Sequence, residues 1–534
     1  MIRIPAARRA AATLSRRQWT CPSCTHLSRR YSQKVTDSST PPAEARQPRE
    51  PPDHRRLGVQ QGLFTTSVYS PGSPIFLPRG ARVFNRLVDF LRRQYVRYGF
   101  DEVITPTIYK KALWAKSGHL ENYGDDMYSV TGYSDRKAEA DGSECRGHQH
   151  GDGKAAAAES RAQESEEGEE GEEGEEGEEG EEGEYGLKPM NCPGHCIIFA
   201  SGHHSYRDLP VRYADFSPLH RNEISGALSG LTRVRRFHQD DGHIFCRPSQ
   251  VEEEIGKTLD FVRVVYTALR LAGAGYRLAL STRPRDGFIG TAEEWDRAED
   301  ALRRALDRSG MDWTVNDGDG AFYGPKIDIV LRDSDGKEHQ TATVQLDFQL
   351  PKRFDLEYQA PAPDHEARGE TTDDPAELAR YGPVRPVMIH RAVLGSVERL
   401  MAILIESYDG KWPFWLNPRQ AIVLTVNTSE PVVRWANHVR NVLVGNDGKA
   451  YQDLEAGVLP SPDHPLRPTG LAVDVDDSAR SLGLKIREAH SDGYGLILVV
   501  GDKDVESGLV SLGKERWTPE QMRDKMQVMA DTFQ

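Results

Sequence analysis

The chain has 534 residues, of which 37% are hydrophobic, so it has room for two or three domains that each bury a core. Its six cysteines are too few and too irregularly placed for a disulfide framework, and no stretch approaches the roughly 18 uninterrupted apolar residues of a membrane span, so we expect no membrane partner. The net charge of −14 is concentrated in one acidic tract, so any contact with nucleic acid has to come from local basic patches.

The first 34 residues are rich in arginine, alanine and serine and contain no acidic residue. This composition is typical of a mitochondrial transit peptide and predicts localisation to the mitochondrial matrix, with a basic tail as the alternative. Cys21 and Cys24 could form half of a zinc site, but no second Cys/His pair lies near them, so we interpret them as incidental. Residues 35–61 are polar and proline-rich, which predicts a disordered linker.

Folded sequence is predicted to begin near Gly62. Apolar residues recur at helical spacing from Arg82 to Tyr98, and the next segment, FDEVITPTIY, has strand character. Residues 133–184 are then polar and end in repeated EEG units, whose charges repel one another and which contain nothing to bury. We predict a solvated, disordered insertion in a surface loop, and binding of a basic partner is the alternative.

The final part of the chain, residues 415–534, has a different pattern of apolar residues. Short apolar runs such as AIVLTV and YGLILVVGD alternate with helical patterns, which predicts a small α/β domain with a mostly parallel sheet. The Pro/Gly-rich residues 445–469 are predicted to interrupt this domain as a loop.

The segment MNCPGHC, Met190 to Cys196, places two cysteines and a histidine close together. Metal knuckles usually contain Cys-x-x-Cys, whereas this spacing is Cys-x-x-x-Cys with Pro193 and Gly194 inside, so the local pattern favours neither a metal site nor a redox pair. Pro193 and Gly194 are predicted to form a turn, and His195 and Cys196 to begin the following helix.

The segment RVRRFHQDDGHIFC would place four unusual side chains on one face if it is a strand. An aromatic ring, an amide, a carboxylate and an imidazole in a row are unlike a core face and suit the floor of a polar ligand site; they are Phe237, Gln239, Asp241 and His243. The alternative is an exposed edge strand.

Two further segments contain arginines beside polar partners. In LHRNEISG, Arg221 and Glu223 would share one face of a strand, where Arg can grip a phosphate or carboxylate and Glu can accept from an amino group. A surface ion pair is the alternative. In MIHRAVLGSVERL a strand is predicted to break at Gly395, so that Ser396 and Arg399 share a face at a positive helix N-terminus, which suits a polyphosphate.

These segments together resemble class II aminoacyl-tRNA synthetases, most closely the threonyl-tRNA synthetase family. The strings LKPMNCPGH, SYRDLPVRYADF, HRNE, RVRRFHQDDGHIFC, AFYGPKIDI, TVQLDFQLP and MIHRAVLGSVERL match the family pattern in order. The resemblance implies an α+β fold: a catalytic domain over 62–414, with an antiparallel six-stranded sheet flanked by helices, and an α/β anticodon-binding domain over 415–534. It also implies a homodimer, with Pro106 near the interface.

The resemblance assigns roles residue by residue. It makes Arg221 and Arg399 catalytic and places ATP on Arg221, Glu223, Arg233, Phe237, Gln345 and Arg399. It places L-threonine on Met190, Gln239, Asp241, Tyr323, Lys326, Gln340 and Ser396. One zinc ion per subunit would be bound by Cys192, His243 and His390 for substrate recognition, and Mg²⁺ would bind with ATP. The implied activity is threonine–tRNA ligation, in which threonyl-adenylate forms and threonine is transferred to tRNA(Thr).

Two rival hypotheses remain open at this point. One is a non-catalytic accessory or nucleic-acid-binding protein on the same scaffold, and the other is a class II enzyme for proline or serine. Larger family members carry N-terminal domains that hydrolyse seryl-tRNA, and only about 60 residues precede the catalytic region here. We therefore expect this polypeptide to form some seryl-tRNA without clearing it, because one methyl group contributes only about 1–3 kcal/mol to selectivity.

Overall fold

The computed structural model of the chain describes residues 51–132, 184–271, 275–332, 338–446 and 448–534. The predicted transit peptide 1–34 and all of the predicted insertion except Glu184 lie outside these residues. The linker prediction is wrong at its C-terminal end, because His54–Gln60 form helix α1 and Pro51 onward belongs to one compact unit. Within the described residues no helix is long and apolar enough to cross a membrane.

The first part of this unit contains sixteen strands and eleven helices among the described residues. The strands are β1 Phe64–Thr65, β2 Ile75–Phe76, β3 Asp101–Glu102, β4 Ile108–Lys110, β5 Ser129–Val130, β6 Tyr185–Leu187, β7 Val211–Asp215, β8 Pro218–His220, β9 Arg236–Cys246, β10 Tyr276–Ser281, β11 Trp313–Asn316, β12 Lys326–Arg332, β13 Glu338–Asp347, β14 Tyr358–Pro361, β15 Tyr381–Val384 and β16 Val387–Ser396. The helices after α1 are α2 Pro78–Arg97, α3 Lys111–Lys116, α4 His119–Tyr123, α5 Cys192–Ala200, α6 Val251–Ala268, α7 Ala292–Ser309, α8 Gln349–Arg353, α9 Pro363–Arg368, α10 Pro375–Leu378 and α11 Val397–Ser407.

A central sheet organises this part of the molecule. Its order is β11-β10-β12-β13-β16-β9-β7-β3, and β8 also pairs with β9. The six strands from β10 to β7 pair antiparallel throughout, as predicted, while β11 and β3 extend the two ends in parallel. The register sets His390 directly opposite His243 on one side and opposite Gln345 on the other.

The predicted helix at Arg82–Tyr98 is confirmed as α2, which begins earlier, at Pro78. Its apolar face is buried through Val83, Leu87 and Leu91, each with no exposed surface. The strand predicted after it is only partly formed: β3 and β4 are short, and the residues between them belong to no strand, although the Val103 N–H still donates to the Ala214 carbonyl on β7. Pro106 lies in that gap and has no N–H to donate to a ladder.

The C-terminal domain has its own sheet and core. Its elements are β17 Ala421–Thr425, α12 Glu430–Val444, α13 Lys449–Glu455, β18 Val473–Asp476, α14 Leu482–Ser491, β19 Leu496–Val500, α15 Asp502–Ser507, β20 Val510–Leu512, β21 Glu515–Trp517 and α16 Pro519–Asp531. Strands β18, β17 and β19 are parallel as predicted, whereas β20 and β21 add an antiparallel edge. The loop predicted at 445–469 contains the short helix α13.

His54 explains why α1 is ordered. Its buried ring places Nδ1 2.6 Å from a Glu406 carboxylate oxygen, and its Nε2 accepts a hydrogen bond from the Leu231 N–H at 3.2 Å. The His54→Leu variant should lose both ring bonds, which leaves the Leu231 N–H unsatisfied and leaves Glu406 only the backbone N–H of residue 54, 3.2 Å away; we expect this to cost about 2–4 kcal/mol of unfolding free energy. Urea denaturation measures this cost, and the exposed His203→Leu should change the free energy by less than about 0.5 kcal/mol. Equal values for the two variants would contradict the assigned role of His54.

Candidate active site

One open cavity of about 330 Å³ lies against the exposed face of the central sheet. It is lined from β9, β13 and β16, from the segments that follow β8, and from the start of α5. Every sequence-predicted site residue except Lys326 lines it, namely Met190, Cys192, Arg221, Glu223, Arg233, Phe237, Gln239, Asp241, His243, Tyr323, Gln340, Gln345, His390, Ser396 and Arg399. The structure thus gathers residues that are up to about two hundred positions apart in sequence.

Strand β9 forms the floor of the cavity, as the alternation of its side chains in the sequence predicts. Its pleat turns Phe237, Gln239, Asp241 and His243 towards the cavity. The alternative of an exposed edge strand is wrong, because β9 pairs with β16 on one side and with β7 and β8 on the other.

At one end of the cavity Cys192, His243 and His390 come together. Their potential ligand atoms all lie within 4.8 Å of one another, and all three residues are buried. His243 Nε2 faces His390 Nδ1 at 2.9 Å, which the pairing of β9 with β16 brings about. Cys192 does not belong to the sheet; it is the first residue of helix α5. The predicted turn at Pro193–Gly194 is wrong, because both residues belong to the first turn of that helix.

Each imidazole has a partner behind it, on the side away from the cluster. His390 Nε2 lies 2.8 Å from an oxygen of the buried Asp347, and His243 Nδ1 lies 2.8 Å from His195 Nδ1. Burial lowers the pKa of His243 well below its usual value, and the neighbouring His390 and His195 lower it further. Neutral imidazoles are the form that binds metal ions. Burial raises the pKa of the Cys192 thiol, and the Asp241 charge raises it further.

Asp241 lies beside this cluster and offers carboxylate oxygens to the cavity. One of them accepts a hydrogen bond from the Asn191 side chain at 3.2 Å, and the other is 3.8 Å from His243 Nε2. Burial raises the pKa of Asp241. The Tyr323 ring lies beside His390, with 5.3 Å between the ring centroids, and its hydroxyl donates to Gln345 on β13. This end can therefore accept hydrogen bonds from a small, polar ligand held at the Cys/His cluster.

The opposite end of the cavity is rich in arginine. The predicted strand position of Arg221 and Glu223 is wrong, since β8 ends at His220 and both residues follow it. The Arg221 guanidinium lies over the Phe237 ring, 5.0 Å from its centroid. The Glu223 carboxylate forms an ion pair with the Arg233 guanidinium, with 2.7 Å between the nitrogen and the oxygen. A planar base could stack in this region, with Glu223 available to an amino group.

Arg399 completes the basic end from the first turn of α11. Ser396 is the N-cap of this helix, accepting from the Arg399 N–H at 3.2 Å, so it precedes the helix and does not share a helical face with Arg399 as predicted. The Arg399 side chain donates to the Thr232 and Gln340 carbonyls at 3.0 and 3.1 Å. Burial lowers its pKa, as do the nearby cations Arg221 and Arg233. An anion placed here would relieve that repulsion.

Lys326 is the one predicted residue outside the cavity lining. It pairs with Gln345 across the β12–β13 ladder, but its ammonium group bonds to Asp328 at 2.7 Å and to Asp319 at 3.2 Å. Among the lining residues that the sequence did not single out are Tyr123 and Thr343. Thr343 begins the family string TVQLDFQLP but was given no role of its own, and the segment around Tyr123 carried no pattern that separates a ligand contact from an ordinary structural residue.

Comparisons with known proteins agree with this geometry. A family model described as "tRNA synthetase class II core domain (G, H, P, S and T)" matches residues 175–368, and one described as "Anticodon binding domain" matches residues 461–534. A Schizosaccharomyces pombe protein named "Probable threonine–tRNA ligase, mitochondrial" is 44% identical over 460 residues, covering 86% of this chain and 84% of the relative. The chain belongs to the threonine–tRNA ligase family.

Other members of the threonine–tRNA ligase family support the same assignment. The Saccharomyces cerevisiae protein named "Threonine–tRNA ligase, mitochondrial" is 43% identical over 458 residues, covering 84% of each chain. A solved structure of a threonyl-tRNA synthetase RNA-binding domain from Cryptosporidium parvum superposes with a TM-score of 0.67 at 41% identity, covering 89% of this chain and 98% of that one. Both the class II fold and the family resemblance are thereby confirmed, which decides against the rival families for proline or serine.

Proposed function

We propose that this chain activates L-threonine with ATP and transfers it to the 3′ end of tRNA(Thr). The observation that carries the proposal is the cavity with two chemically different ends. One end is lined by Cys192, His243, His390 and Asp241. The other end is lined by three arginines together with Phe237 and Glu223; the arginines are Arg221, Arg233 and Arg399. A non-catalytic protein on this scaffold would have no use for both ends in one cavity.

The Cys192, His243 and His390 set fits a zinc ion. The donors are one thiol and two imidazoles, all buried, and each imidazole has a second partner that can fix its orientation. Three protein ligands leave a coordination position open. Bound there, zinc would supply a Lewis-acidic position for the amino and hydroxyl groups of threonine, and Asp241 would accept from the hydroxyl.

At the other end, Phe237 would stack on adenine and Glu223 would accept from its amino group. Arg221 would grip the α-phosphate and the threonine carboxylate, and Arg399 the γ-phosphate, with Arg233 and Gln345 completing the ATP contacts. Mg²⁺ would bind with the ATP phosphates. The remaining threonine contacts are assigned to Met190, Gln239, Tyr323, Gln340 and Ser396, and Lys326 acts only if its ammonium group leaves Asp328.

The chain's residues contribute to adenylate formation by positioning and by neutralising charge. The threonine carboxylate attacks the α-phosphorus of ATP, diphosphate leaves, and negative charge builds on the α-phosphate oxygens. Arg221 is placed to receive that charge because its guanidinium, held over Phe237, faces the cavity. The 3′-terminal ribose hydroxyl of tRNA then attacks the threonyl-adenylate carbonyl and AMP leaves.

We propose in addition a homodimer in the mitochondrial matrix. Two apolar side chains, each two residues from Pro106 in the sequence, are exposed: Ile104 at 87% and Ile108 at 47%. Such a group is typical of a protein–protein interface. The localisation is supported by the acid-free, arginine-rich first 34 residues and by the mitochondrial names of the two yeast relatives.

Charging of tRNA with radiolabelled amino acids tests the proposed activity. Purified protein with ATP, Mg²⁺ and total tRNA should attach threonine, and the threonine should appear on tRNA(Thr) alone when the charged tRNAs are separated. Attachment of proline in place of threonine would contradict the substrate assignment. Binding of ATP without attachment of any amino acid would support the non-catalytic alternative.

A further inference from the structure

His195 lies directly behind the Cys/His cluster, although it is not a member of it. It follows Cys192 by three residues in α5, and its side chain has no exposed surface. Its Nδ1 lies 2.8 Å from Nδ1 of His243, and the two rings are nearly perpendicular, at 87°. Two imidazole nitrogens at this distance share one hydrogen bond, so one atom carries the proton and the other accepts it.

The cluster decides the direction of this hydrogen bond. His243 turns Nε2 towards His390 and Cys192, so Nε2 is the atom that a metal ion would bind. A metal-bound ring nitrogen has no proton, so neutral His243 carries its proton on Nδ1. That proton points at His195 Nδ1, which must then accept it. His195 in turn carries its own proton on Nε2.

A fixed carboxylate lies beyond His195. His195 Nε2 has no hydrogen-bond partner among the residues that the structure describes, and the Asp215 carboxylate is 3.8 Å away from it. Asp215 is held in place by hydrogen bonds from the Thr105 hydroxyl at 2.6 Å and the Ser217 N–H at 2.7 Å. A negative charge at this position favours the His195 tautomer with the proton on Nε2.

We propose that His195 is a positioning residue of the zinc site: it accepts the Nδ1 proton of His243 and so keeps His243 Nε2 free for the metal. The inference rests on the zinc site proposed above. The two metal-binding imidazoles would then be oriented differently, His390 by the Asp347 carboxylate directly and His243 by Asp215 through His195. Loss of such a partner typically lowers metal affinity about 10- to 100-fold.

Two substitutions of similar size separate this role from simple packing. His195→Asn keeps an acceptor oxygen near the position of Nδ1, whereas His195→Gln keeps a polar group only near the position of Nε2. We expect zinc affinity, measured on the full chain by competition with a chelator, to fall about 10- to 100-fold for His195→Gln and to stay within a few-fold of wild type for His195→Asn. Thermal melting of the metal-free variants verifies that both fold.

The matched control is His204, which follows the same helix. It stacks on Phe199 with 4.0 Å between ring centroids, and its Nε2 lies 2.9 Å from the Phe199 carbonyl oxygen. His204→Gln should leave zinc affinity unchanged. The absorption spectrum of Co²⁺-loaded protein gives a second readout, in which only His195→Gln should shift the ligand-field bands.

The outcomes separate this inference from the proposed function. Wild-type zinc affinity and an unshifted cobalt spectrum in His195→Gln would overturn the positioning role while leaving the zinc site intact. An equal loss in His195→Asn and His195→Gln would also overturn it, since packing would then explain both. A wild-type chain that binds no zinc overturns the zinc site itself and this inference with it.

Discussion

Replacing Cys192 with alanine is expected to remove the zinc ion and to reduce threonine activation on the order of 10³-fold. The variant loses the only thiol of the proposed ligand set, and the remaining imidazoles, 2.9 Å apart, can then hydrogen-bond to each other. Threonine would lose the partner of its amino and hydroxyl groups while ATP keeps its own contacts. Zinc content by mass spectrometry and threonine-dependent pyrophosphate–ATP exchange measure the two losses.

Cys196 provides the control for this experiment. It lies one turn further along α5, is fully buried and contacts the Met388 sulfur at 3.8 Å. Cys196→Ala removes an equally buried thiol from the same helix, so it should keep the zinc ion and most of the exchange activity. Wild-type protein stripped of zinc by a chelator should behave like Cys192→Ala. Full zinc content and full exchange in Cys192→Ala would show that the cluster does not bind the metal.

Replacing Arg221 with lysine is expected to slow adenylate formation about 10²- to 10³-fold, or about 3–4 kcal/mol of transition-state stabilisation. Lysine keeps the positive charge but loses the planar fork that can bridge a phosphate and a carboxylate, and it loses the stacking over Phe237. Because the charge on the α-phosphate grows in the transition state, the effect should fall mainly on kcat. Steady-state exchange at varied ATP measures it.

Arg236 is the matched control for Arg221. It precedes Phe237 on β9, does not line the cavity, and its guanidinium contacts His238 Nε2 at 3.2 Å. Arg236→Lys should leave kcat within a few-fold of wild type. A similar loss of kcat in both variants would mean that a general loss of charge or stability, rather than the Arg221 fork, determines the rate.

The sequence predicts the site best where local periodicity determines the outcome. The alternation along β9 correctly places Phe237, Gln239, Asp241 and His243 on one face, since the strand period of two is a property of the chain itself. The helical pattern of α2 is found in the same way. The meeting of Cys192, His243 and His390 depends on sheet register and helix position, so it followed only from the family resemblance.

The sequence-based errors also have physical causes. Residues 51–61 look like a linker by composition, yet His54 is ordered by Glu406, a partner more than three hundred residues away. Arg221 follows a strand that ends one residue earlier, which no propensity reveals. His195 was placed correctly in a helix, but its contact with His243 depends on how that helix packs against β9. Contacts between residues this far apart in the chain cannot be predicted from the local sequence.

The central claim is that the cavity recognises threonine through the Cys192, His243 and His390 cluster. Amino-acid-dependent pyrophosphate–ATP exchange tests it most directly, with threonine, serine, valine and proline supplied in turn to wild type and to Cys192→Ala. We expect wild type to use threonine best, serine less well by about 10- to 200-fold and valine about 10⁴-fold less well, because valine leaves the hydroxyl-binding groups unsatisfied. Threonine exchange should fall on the order of 10³-fold in Cys192→Ala. Exchange that is fastest with proline, or threonine exchange undiminished in Cys192→Ala, would contradict the account.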